Sequence, residues 1–283
     1  MPKWCLFVLL TAVSAEMHAQ WLNYLPSSTP RLPDGTANLE APAPRALDGH
    51  PDLSGVWMHE TTTVEEVKRL FGHRFDADIA ASILGMEIGT QHKYVFDILV
   101  DFQPHEDDLI RPEAQVIRRQ RMAQRDPTRV CTGRPPGFPA VGLLSEPIKI
   151  VQSPQVTIVL YEAGNLHRQI FTDGRTLPKE FELPAFNGYS AAHWEKDTLV
   201  VETAGFNDQT ALDGSGHYHS DALRVTERFH RRNFGNLDYE LTIDDPKSYT
   251  RSFTVKIPHY LIPNNDIFEM YCENEKDQVH LRK

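Results

Sequence analysis

The stretch of the chain best suited to chemistry is an alternating segment in which one carboxylate has the parity of apolar residues. Glu227 shares this parity with three apolar side chains, Leu223, Val225 and Phe229. Because side chains alternate between the two faces of a strand, Glu227 is predicted to point into a hydrophobic interior. Burial disfavours the charged carboxylate unless a cation or a hydrogen-bond donor meets it. Glu227 is therefore a candidate general acid or base.

Residues just upstream of this alternation offer a partner for the carboxylate. If the strand begins a few residues earlier, His217, His219 and Asp221 lie on the same side as Glu227. Two residues of a strand span only about 7 Å, so these side chains could converge on one point. His219, at the rim of the interior, would then pair with Glu227 as catalytic acid and base. Asp221, or His193 from the preceding hairpin, would assist or contact a ligand.

Each of these residues also has a structural interpretation that the sequence leaves open. Glu227 could form an ion pair with an inward arginine, such as Arg168 or Arg251. His219 could cap a loop through a hydrogen bond. His217 and His219 sit at alternate positions and could ligate a metal, but a third and fourth ligand at diagnostic spacing are missing. The sequence therefore predicts no metal site.

Three further residues are predicted to contact a ligand: Tyr161 on a strand, and Glu87 and His92 in a helical insertion. If the insertion covers the mouth of a barrel, Glu87 and His92 face the cavity; the alternative is that they anchor a loop. The nucleophile-elbow pattern Gly-x-Ser-x-Gly fails around Ser190, because Ala192 stands where the second glycine belongs. The sequence contains no phosphate-binding glycine loop or dinucleotide fingerprint, so no cofactor is predicted.

Alternating apolar residues predict a mainly β protein. Turn signals recur about every ten residues, which is typical of an antiparallel barrel or sandwich, and of these we expect an up-and-down barrel of about eight or nine strands. Trp57, in the Gly-x-Trp that opens the first strand, is predicted to be an aromatic residue of the core. The remaining predicted strands are Ile148–Val151, Val156–Glu162, Leu166–Phe171, the hairpin Ala192–Thr203, the hairpin of Ala222–Phe229 with Leu237–Ile243, Tyr249–Ile257, and a closing strand at Ile267–Cys272.

A helical insertion interrupts the β pattern at about residues 61–126, directly after the first strand. Apolar residues at helical spacing predict helices at Thr63–Phe71 and Asp76–Leu84. Pro112 is well placed as the first residue of a third helix that extends to Gln124. The apolar run Tyr94–Val100 fits a strand or a buried helix equally well.

The chain divides into a signal peptide at residues 1–19, a proline-rich strap at 20–50, and a single barrel domain at 51–283. The signal peptide consists of a lysine, a short apolar run and small residues. Cleavage after Ala15 or Ala19 would export the mature chain to the periplasm or the exterior. The apolar run is shorter than the about 20 residues that cross a bilayer, so no membrane insertion of the mature chain is predicted.

The cysteines and the net charge limit the class of partner. Cys131 and Cys272 remain after export, either bridged as an even pair in an oxidising compartment or as two free buried thiols. The formal net charge is −10, and acidic residues are spread along the chain. Because phosphate-backbone binding needs clustered lysine and arginine, a nucleic-acid partner is not predicted.

Several segments after residue 50 read as motifs: Asp52–Trp57, Gly85–His92, Cys131–Pro139, Tyr161–Asn165, Phe171–Arg175, Trp194–Val201, Thr226–Phe229 and Tyr271–Asn274. Together they resemble a family of uncharacterised exported bacterial proteins, a resemblance that implies no activity. More remotely, the Gly-x-Trp and the strand meander resemble lipocalin-like (calycin) barrels. That resemblance implies that Trp57 plugs the closed end of the barrel and that the barrel has a cavity for a small apolar molecule. The long helical insertion departs from the lipocalin pattern, so the likeness concerns fold rather than function.

The sequence favours an exported barrel that binds a small, mostly apolar ligand held by a few polar groups, such as Glu227, His219 and Tyr161. The first alternative is a cofactor-free lyase, isomerase or hydrolase that uses Glu227 and His219 in the same cavity. The second alternative is an envelope protein that binds a partner or serves a structural role and has no pocket. An acid–base pair facing an open cavity favours the enzyme, whereas a filled interior favours the structural role.

Overall fold

A computed structural model of the chain describes residues 24–71, 92–102, 105–124, 137–144 and 146–269. The described strands are β1 Gly55–His59, β2 Ile148–Gln152, β3 Val156–Tyr161, β4 Leu166–Phe171, β5 Tyr189–Glu195, β6 Thr198–Ala204, β7 Arg224–Arg231, β8 Asn236–Asp244, β9 Phe253–Lys256 and β10 His259–Leu261. The described α-helices are α1 Val64–Phe71, α2 Lys93–Phe96 and α3 Pro112–Ala123. Short 3-10 turns lie at Val100–Phe102, Glu106–Asp108, Ala140–Leu143 and Ala163–Asn165.

The strands form one sheet that closes on itself. Neighbours follow the chain from β1 to β8, and β10 completes the circle by pairing with both β8 and β1. Nine strands of the described chain make the closed barrel, and β9 pairs with β8 outside it. Closure gives the barrel strands a neighbour on each side, which removes exposed sheet edges. The prediction of a mainly β barrel with a helical insertion after the first strand is confirmed.

One pairing departs from the up-and-down prediction. β5 runs parallel to β4, with Ile170 opposite Ser190 and Phe171 opposite Ala191. A parallel neighbour requires the chain to return to the end where the previous strand began. Residues 172–188 make this return without regular helix or strand. The sheet is therefore mixed, and this long return explains why turn signals alone predicted a simple meander.

The strand that closes the barrel lies earlier in the chain than predicted. Of the predicted closing strand Ile267–Cys272, residues 267–269 are not in a strand and the rest lies outside the described residues. β10 closes the barrel instead and places Leu261 opposite Trp57. β10 has three residues and follows Pro258, so its alternation is too short to recognise in sequence.

Side chains alternate between the interior and the outside, as a period of two requires. Every second residue is buried from Val225 to Arg231 in β7 and from Leu237 to Ile243 in β8. The predicted hairpins therefore have the expected register, since Glu227 pairs with a buried position of β8. Burial of apolar surface at about 25 cal/mol per Å² makes this inner wall the main source of stability.

Trp57 is buried near the end of the barrel that holds the β7–β8 turn. Its side chain is fully buried, and its indole Nε1 donates a hydrogen bond to the Leu53 carbonyl at 2.9 Å. The guanidinium of Arg231 lies 4.9 Å from the indole ring. The strap crosses this end, where the Gly235 amide donates to the Leu39 carbonyl at 2.7 Å. A Cβ on Gly235 would lie 2.5 Å from the Leu39 Cβ, so the close approach of the strap requires glycine.

The helical insertion lies over the other end, together with two inter-strand loops. We call residues 92–102 and 105–124, with the loops 205–223 and 245–252, the cover. The insertion is joined to the first loop by the Gly214 amide, which donates to the Val95 carbonyl at 2.8 Å. It is joined to the second loop by a β-bridge between Ile110 and Tyr249. The described part of the insertion thus lies over a barrel mouth.

The helices of the cover agree with the sequence where they are described. α3 begins at Pro112, whose missing amide hydrogen suits the first turn of a helix. Tyr94–Val100, which fitted strand or helix, forms α2 and the start of a 3-10 turn. The predicted helix at Asp76–Leu84 lies outside the described residues. Within the described ranges, no helix has both the length and the apolar character needed to cross a bilayer.

Candidate functional site

Strands β4 and β7 place an arginine and a glutamate face to face inside the barrel. Arg168 and Glu227 are both buried, and the Arg168 Nη2 donates to the Glu227 Oε2 at 2.5 Å. The Tyr239 hydroxyl donates to the other carboxylate oxygen at 3.0 Å. The inward direction of Glu227 is therefore confirmed. Of the two arginines proposed as its partner, Arg168 forms the ion pair, whereas Arg251 is exposed and lies over the Phe102 ring.

The Arg168 guanidinium has more donors than the described residues satisfy. Its Nε and Nη1 atoms are buried and have no hydrogen-bond partner in the described part of the chain. One face of the group is covered by Phe138, whose ring centroid lies 3.8 Å from the Arg168 Cζ. An unpaired buried donor costs about 1–3 kcal/mol, and more when the group is charged. The site therefore lacks a hydrogen-bond acceptor beside Arg168.

A small cavity remains next to this ion pair. Its volume is about 10 Å³, which is room for about one water molecule. Its polar lining consists of Tyr161, Glu227, Tyr239 and His259. The rest of the wall is apolar, formed by Gly142, Ile148, Val159 and Phe229. The barrel interior is thus almost filled, and the open ligand cavity expected from the lipocalin resemblance is not present in the described structure.

The cavity is small because the segment between the helical insertion and β2 fills the barrel mouth. We call residues 137–144 the plug. Its apolar side chains Phe138, Val141 and Leu143 are all buried, and Gly142 borders the cavity. The Phe138 amide donates a hydrogen bond to the side-chain oxygen of Asn187 at 3.0 Å. The plug therefore occupies, with apolar atoms, the space that a ligand above Arg168 would need.

The ion pair is balanced in charge. Burial raises the pKa of the Glu227 carboxyl, while the charge of Arg168 and the hydrogen bond from Tyr239 oppose that rise. Burial lowers the pKa of Arg168, but Glu227, Tyr161 and Tyr239 together raise this pKa above its ordinary value, so the guanidinium stays protonated. Burial raises the pKa of Tyr161 to about 12, so this hydroxyl stays neutral. With both oxygens already hydrogen-bonded, Glu227 is a poor proton acceptor in this state.

Three buried histidines form a cluster between the cavity and the cover. The His59 ring lies edge-to-face with those of His92 and His259, at centroid distances of 5.8 and 6.1 Å. The His259 ring also contacts that of Tyr239 at 5.5 Å. Burial lowers the pKa of His59 to about 4, of His92 to about 3 and of His259 to about 3. All three are therefore neutral at pH 7.

The structure does not bring His219 to Glu227. The His219 Nε2 is 2.7 Å from the Thr210 hydroxyl, and its Nδ1 is 3.2 Å from the Ser220 carbonyl oxygen. These hydrogen bonds lie within the loop before β7, so they agree with the alternative in which His219 caps a loop. The proposed acid–base pair was therefore wrong in its geometry. The reason is that β7 begins at Arg224, so the alternation of the strand does not extend back to residue 219.

Two other predicted ligand contacts lie on the outside of the barrel. Asp221 is exposed and its carboxylate is 2.7 Å from the Lys247 Nζ. His193 is on the outer face of β5, with its Nε2 3.4 Å from the Glu195 carboxylate. Neither side chain reaches the interior, because Asp221 precedes the strand and His193 has the outward parity of β5. The prediction that they assist Glu227 was wrong.

The remaining predicted residues have mixed outcomes. Tyr161 lines the cavity, as proposed. His92 is buried and caps α2 by accepting a hydrogen bond from the Tyr94 amide at 3.4 Å. Its ring contacts that of His59, and His92 is not among the residues that line the cavity. Glu87, Cys131 and Cys272 lie outside the described residues.

The sequence missed a second buried charged cluster, which lies in the cover. The His217 Nδ1 is 2.6 Å from the Asp213 Oδ2 and 3.8 Å from the Asp97 Oδ1. Asp213 also accepts hydrogen bonds from the amides of Ile98 and His217, at 2.6 and 3.1 Å. Asp97 accepts one from the Leu99 amide at 2.8 Å. These bonds tie the helical insertion to the loop 205–223.

The electrostatics of this cluster differ from those of the interior pair. Burial raises the pKa of Asp97 to about 6, and the charges of Asp213 and Glu106 add to that rise. Burial lowers the pKa of His217, but the charge and hydrogen bond of Asp213 outweigh it and the net shift is upward. A sequence signal existed: Asp97 is a lone carboxylate inside the apolar run 94–100. Nothing in the sequence connected it with residues more than a hundred positions away.

Comparison of the chain with protein-family models, with curated proteins and with solved structures found no match. The resemblance to exported bacterial proteins therefore stays a prediction. The functional argument rests on the geometry of the barrel alone.

Proposed function

We propose that the barrel is an exported carrier whose interior binds a small, mostly apolar molecule with a neutral hydrogen-bond acceptor. The observation that carries this proposal is the pair of buried Arg168 nitrogens without a partner among the described residues. A carbonyl oxygen placed there would satisfy donors that otherwise cost about 1–3 kcal/mol each. The apolar wall of the cavity would contact the rest of the molecule.

The charge balance of the interior selects the chemical class of the ligand. Arg168 and Glu227 already neutralise each other at 2.5 Å. A carboxylate ligand would add a second negative charge to a site without exposed surface, and burying an unpaired charge is costly. A ketone, ester or amide adds an acceptor without a charge. The proposed ligand is therefore neutral.

Binding requires the plug to move. The present cavity of about 10 Å³ admits about one water molecule. Phe138 covers one face of Arg168 and is the largest buried side chain of the plug. A ligand that displaces Phe138 would gain both space and access to the free guanidinium donors. The occupant expected in the absence of ligand is the plug itself, with one water beside it.

The experiment compares three probes of similar size by isothermal titration calorimetry: acetophenone, ethylbenzene and benzoate. Acetophenone should bind at least about tenfold more tightly than ethylbenzene, since a hydrogen bond to a charged group contributes about 1.5–3 kcal/mol. Benzoate should bind most weakly of the three. Phe138→Ala should tighten acetophenone binding, because the displaced side chain is already removed.

A double variant tests whether Arg168 causes the selectivity. Arg168→Gln with Glu227→Gln removes both charges and should abolish the preference for acetophenone over ethylbenzene. The matched control is Arg228→Gln with Glu195→Gln, an exposed pair at 2.8 Å on the outside of the same sheet. If no probe binds the wild type or Phe138→Ala, or if the preference survives the interior double variant, the proposal is wrong. The enzyme alternative has no supporting contact, since His219 does not meet Glu227. The nearly filled interior favours the structural alternative as long as the plug stays in place, so a wild type that binds none of the probes would support that role.

A further inference from the structure

We propose that Asp97, Asp213 and His217 form a binding site for Zn²⁺ or a similar divalent transition-metal ion. This site lies in the cover and is separate from the barrel interior. It joins the helical insertion, which supplies Asp97, to the loop 205–223, which supplies the other two residues. The proposal does not depend on the ligand proposed for the interior.

The first support is the convergence of three ligand atoms. One carboxylate oxygen from each aspartate and one imidazole nitrogen lie within 4.8 Å of one another. Two of the separations are 2.6 and 3.8 Å, between the His217 Nδ1 and the oxygens of Asp213 and Asp97. Tetrahedral ligands at about 2.0–2.2 Å from Zn²⁺ are about 3.4 Å apart, which lies between these two distances. Small shifts of the side chains would bring all three into coordination.

The second support is an unbalanced charge in a buried place. The side chains of Asp97, Asp213 and His217 are 6%, 0% and 0% exposed. Two buried carboxylates face a single imidazole, so acidic groups outnumber basic ones within the cluster. The other charged groups that act on the cluster are Glu106 and Arg118, which add one charge of each sign. A buried uncompensated charge is unfavourable, and a divalent cation in place of the imidazole proton would remove it.

The third support is the fixed position of the ligands. The Asp213 carboxylate is held by the amides of Ile98 and His217, and the Asp97 carboxylate by the amide of Leu99. Hydrogen bonds to ligand carboxylates orient them toward a metal. The set of two oxygens and one nitrogen suits Zn²⁺, whereas Ca²⁺ and Mg²⁺ prefer sites made only of oxygen. A fourth position would be taken by water.

The test begins with the whole protein, stripped of metal by a chelator and titrated with ZnCl₂ in a calorimeter. We expect one Zn²⁺ per chain at this site and a rise in the melting temperature. Asp97→Asn should weaken this binding at least about tenfold while its amide oxygen keeps the Leu99 bond. The control is His193→Gln, which removes an exposed histidine next to Glu195 and should leave binding unchanged.

Two further measurements keep the test decisive. His217→Gln should also weaken Zn²⁺ binding at least about tenfold, because it removes the imidazole ligand. If this variant does not fold, Asp97→Asn alone decides, because its melting without metal shows whether Asp97→Asn is native. A crystal soaked in ZnCl₂ should show an anomalous peak between the three ligand atoms. Equal Zn²⁺ binding by wild type and Asp97→Asn, or a peak only at surface histidines, would overturn the proposal. The absence of any Zn²⁺ binding by the wild type would overturn it as well.

Discussion

The barrel interior and the cover each bury a group of charged side chains, but the two groups differ in their balance of acidic and basic residues. Inside the barrel, one arginine meets one glutamate at 2.5 Å and the charges cancel. In the cover, two aspartates face one histidine, so acidic groups outnumber basic ones. Two equally buried groups can therefore differ in the free-energy cost of burying their charges. The ion pair in the interior has unpaired donors and is proposed to bind a neutral hydrogen-bond acceptor. The cluster in the cover has an excess of acidic groups and is proposed to bind a cation.

The largest expected effect comes from breaking the balance inside the barrel. Arg168→Leu leaves Glu227 as a buried carboxylate without its cation, and should lower the free energy of unfolding by about 3–5 kcal/mol. Urea denaturation measures this loss. The double variant Arg168→Leu with Glu227→Leu should recover most of it, because both charges are then gone. If the double variant is no more stable than the single one, the pair is not held by charge balance.

Acid should destabilise the interior through the histidine cluster. The pKa of His59 is about 4 in the native state, against about 6.5 in an unfolded chain. Below pH 6.5 the unfolded chain therefore binds the extra proton, and stability falls until the pH reaches the native pKa. One such histidine contributes a slope of about 1.4 kcal/mol per pH unit.

His59→Phe should accordingly reduce the loss of stability between pH 6.5 and pH 4.5. The measurement is urea denaturation at several pH values across this window. His167→Gln, which changes an exposed histidine on β4, is the control and should keep the wild-type slope. An unchanged slope in His59→Phe would mean that this histidine does not titrate as its burial requires.

The cover should respond to loss of charge in the opposite direction. In metal-free protein at pH 7, Asp97→Asn removes an uncompensated charge and should raise the free energy of unfolding by about 1 kcal/mol. Asp245→Asn is the comparison, because this buried carboxylate accepts the Ser220 amide and hydroxyl at 2.6 and 2.7 Å. Asp245→Asn should therefore lower stability. If both variants lower it equally, the cover carries no excess charge.

The smallest effect is expected at the surface. Asp221→Asn removes an exposed pair with Lys247 and should change the free energy of unfolding by less than about 0.5 kcal/mol. Thermal melting is sufficient to measure it. A loss as large as that of Arg168→Leu would show that Asp221 has a role that its exposed position does not explain.

The sequence predicted local features well and long-range features poorly. The alternation of apolar residues correctly predicted that Glu227 points into the barrel. It also predicted the β5–β6 and β7–β8 hairpins, because alternation is a local property of each strand. It did not give the parallel pair β4–β5 or the short closing strand β10, which depend on contacts between distant segments. Asp221 and His219 were misplaced because the alternation of β7 was extended toward the N-terminus, past the true start of the strand at Arg224.

The candidate site was predictable in part for the same reason. Glu227 and Tyr161 follow from strand parity, and Arg168 was one of two arginines that parity allowed. The plug and the cluster of Asp97, Asp213 and His217 arise where separate loops meet over the barrel mouth. No spacing rule within one segment could have brought those residues together.

The most direct test of the central claim is a high-resolution crystal structure of the protein isolated from its natural source. The account predicts density larger than one water molecule within hydrogen-bond distance of the Arg168 Nε and Nη1, with Phe138 displaced from its position over the guanidinium. A single water at Arg168 beneath an undisturbed Phe138, in protein known to retain bound small molecules, would contradict it.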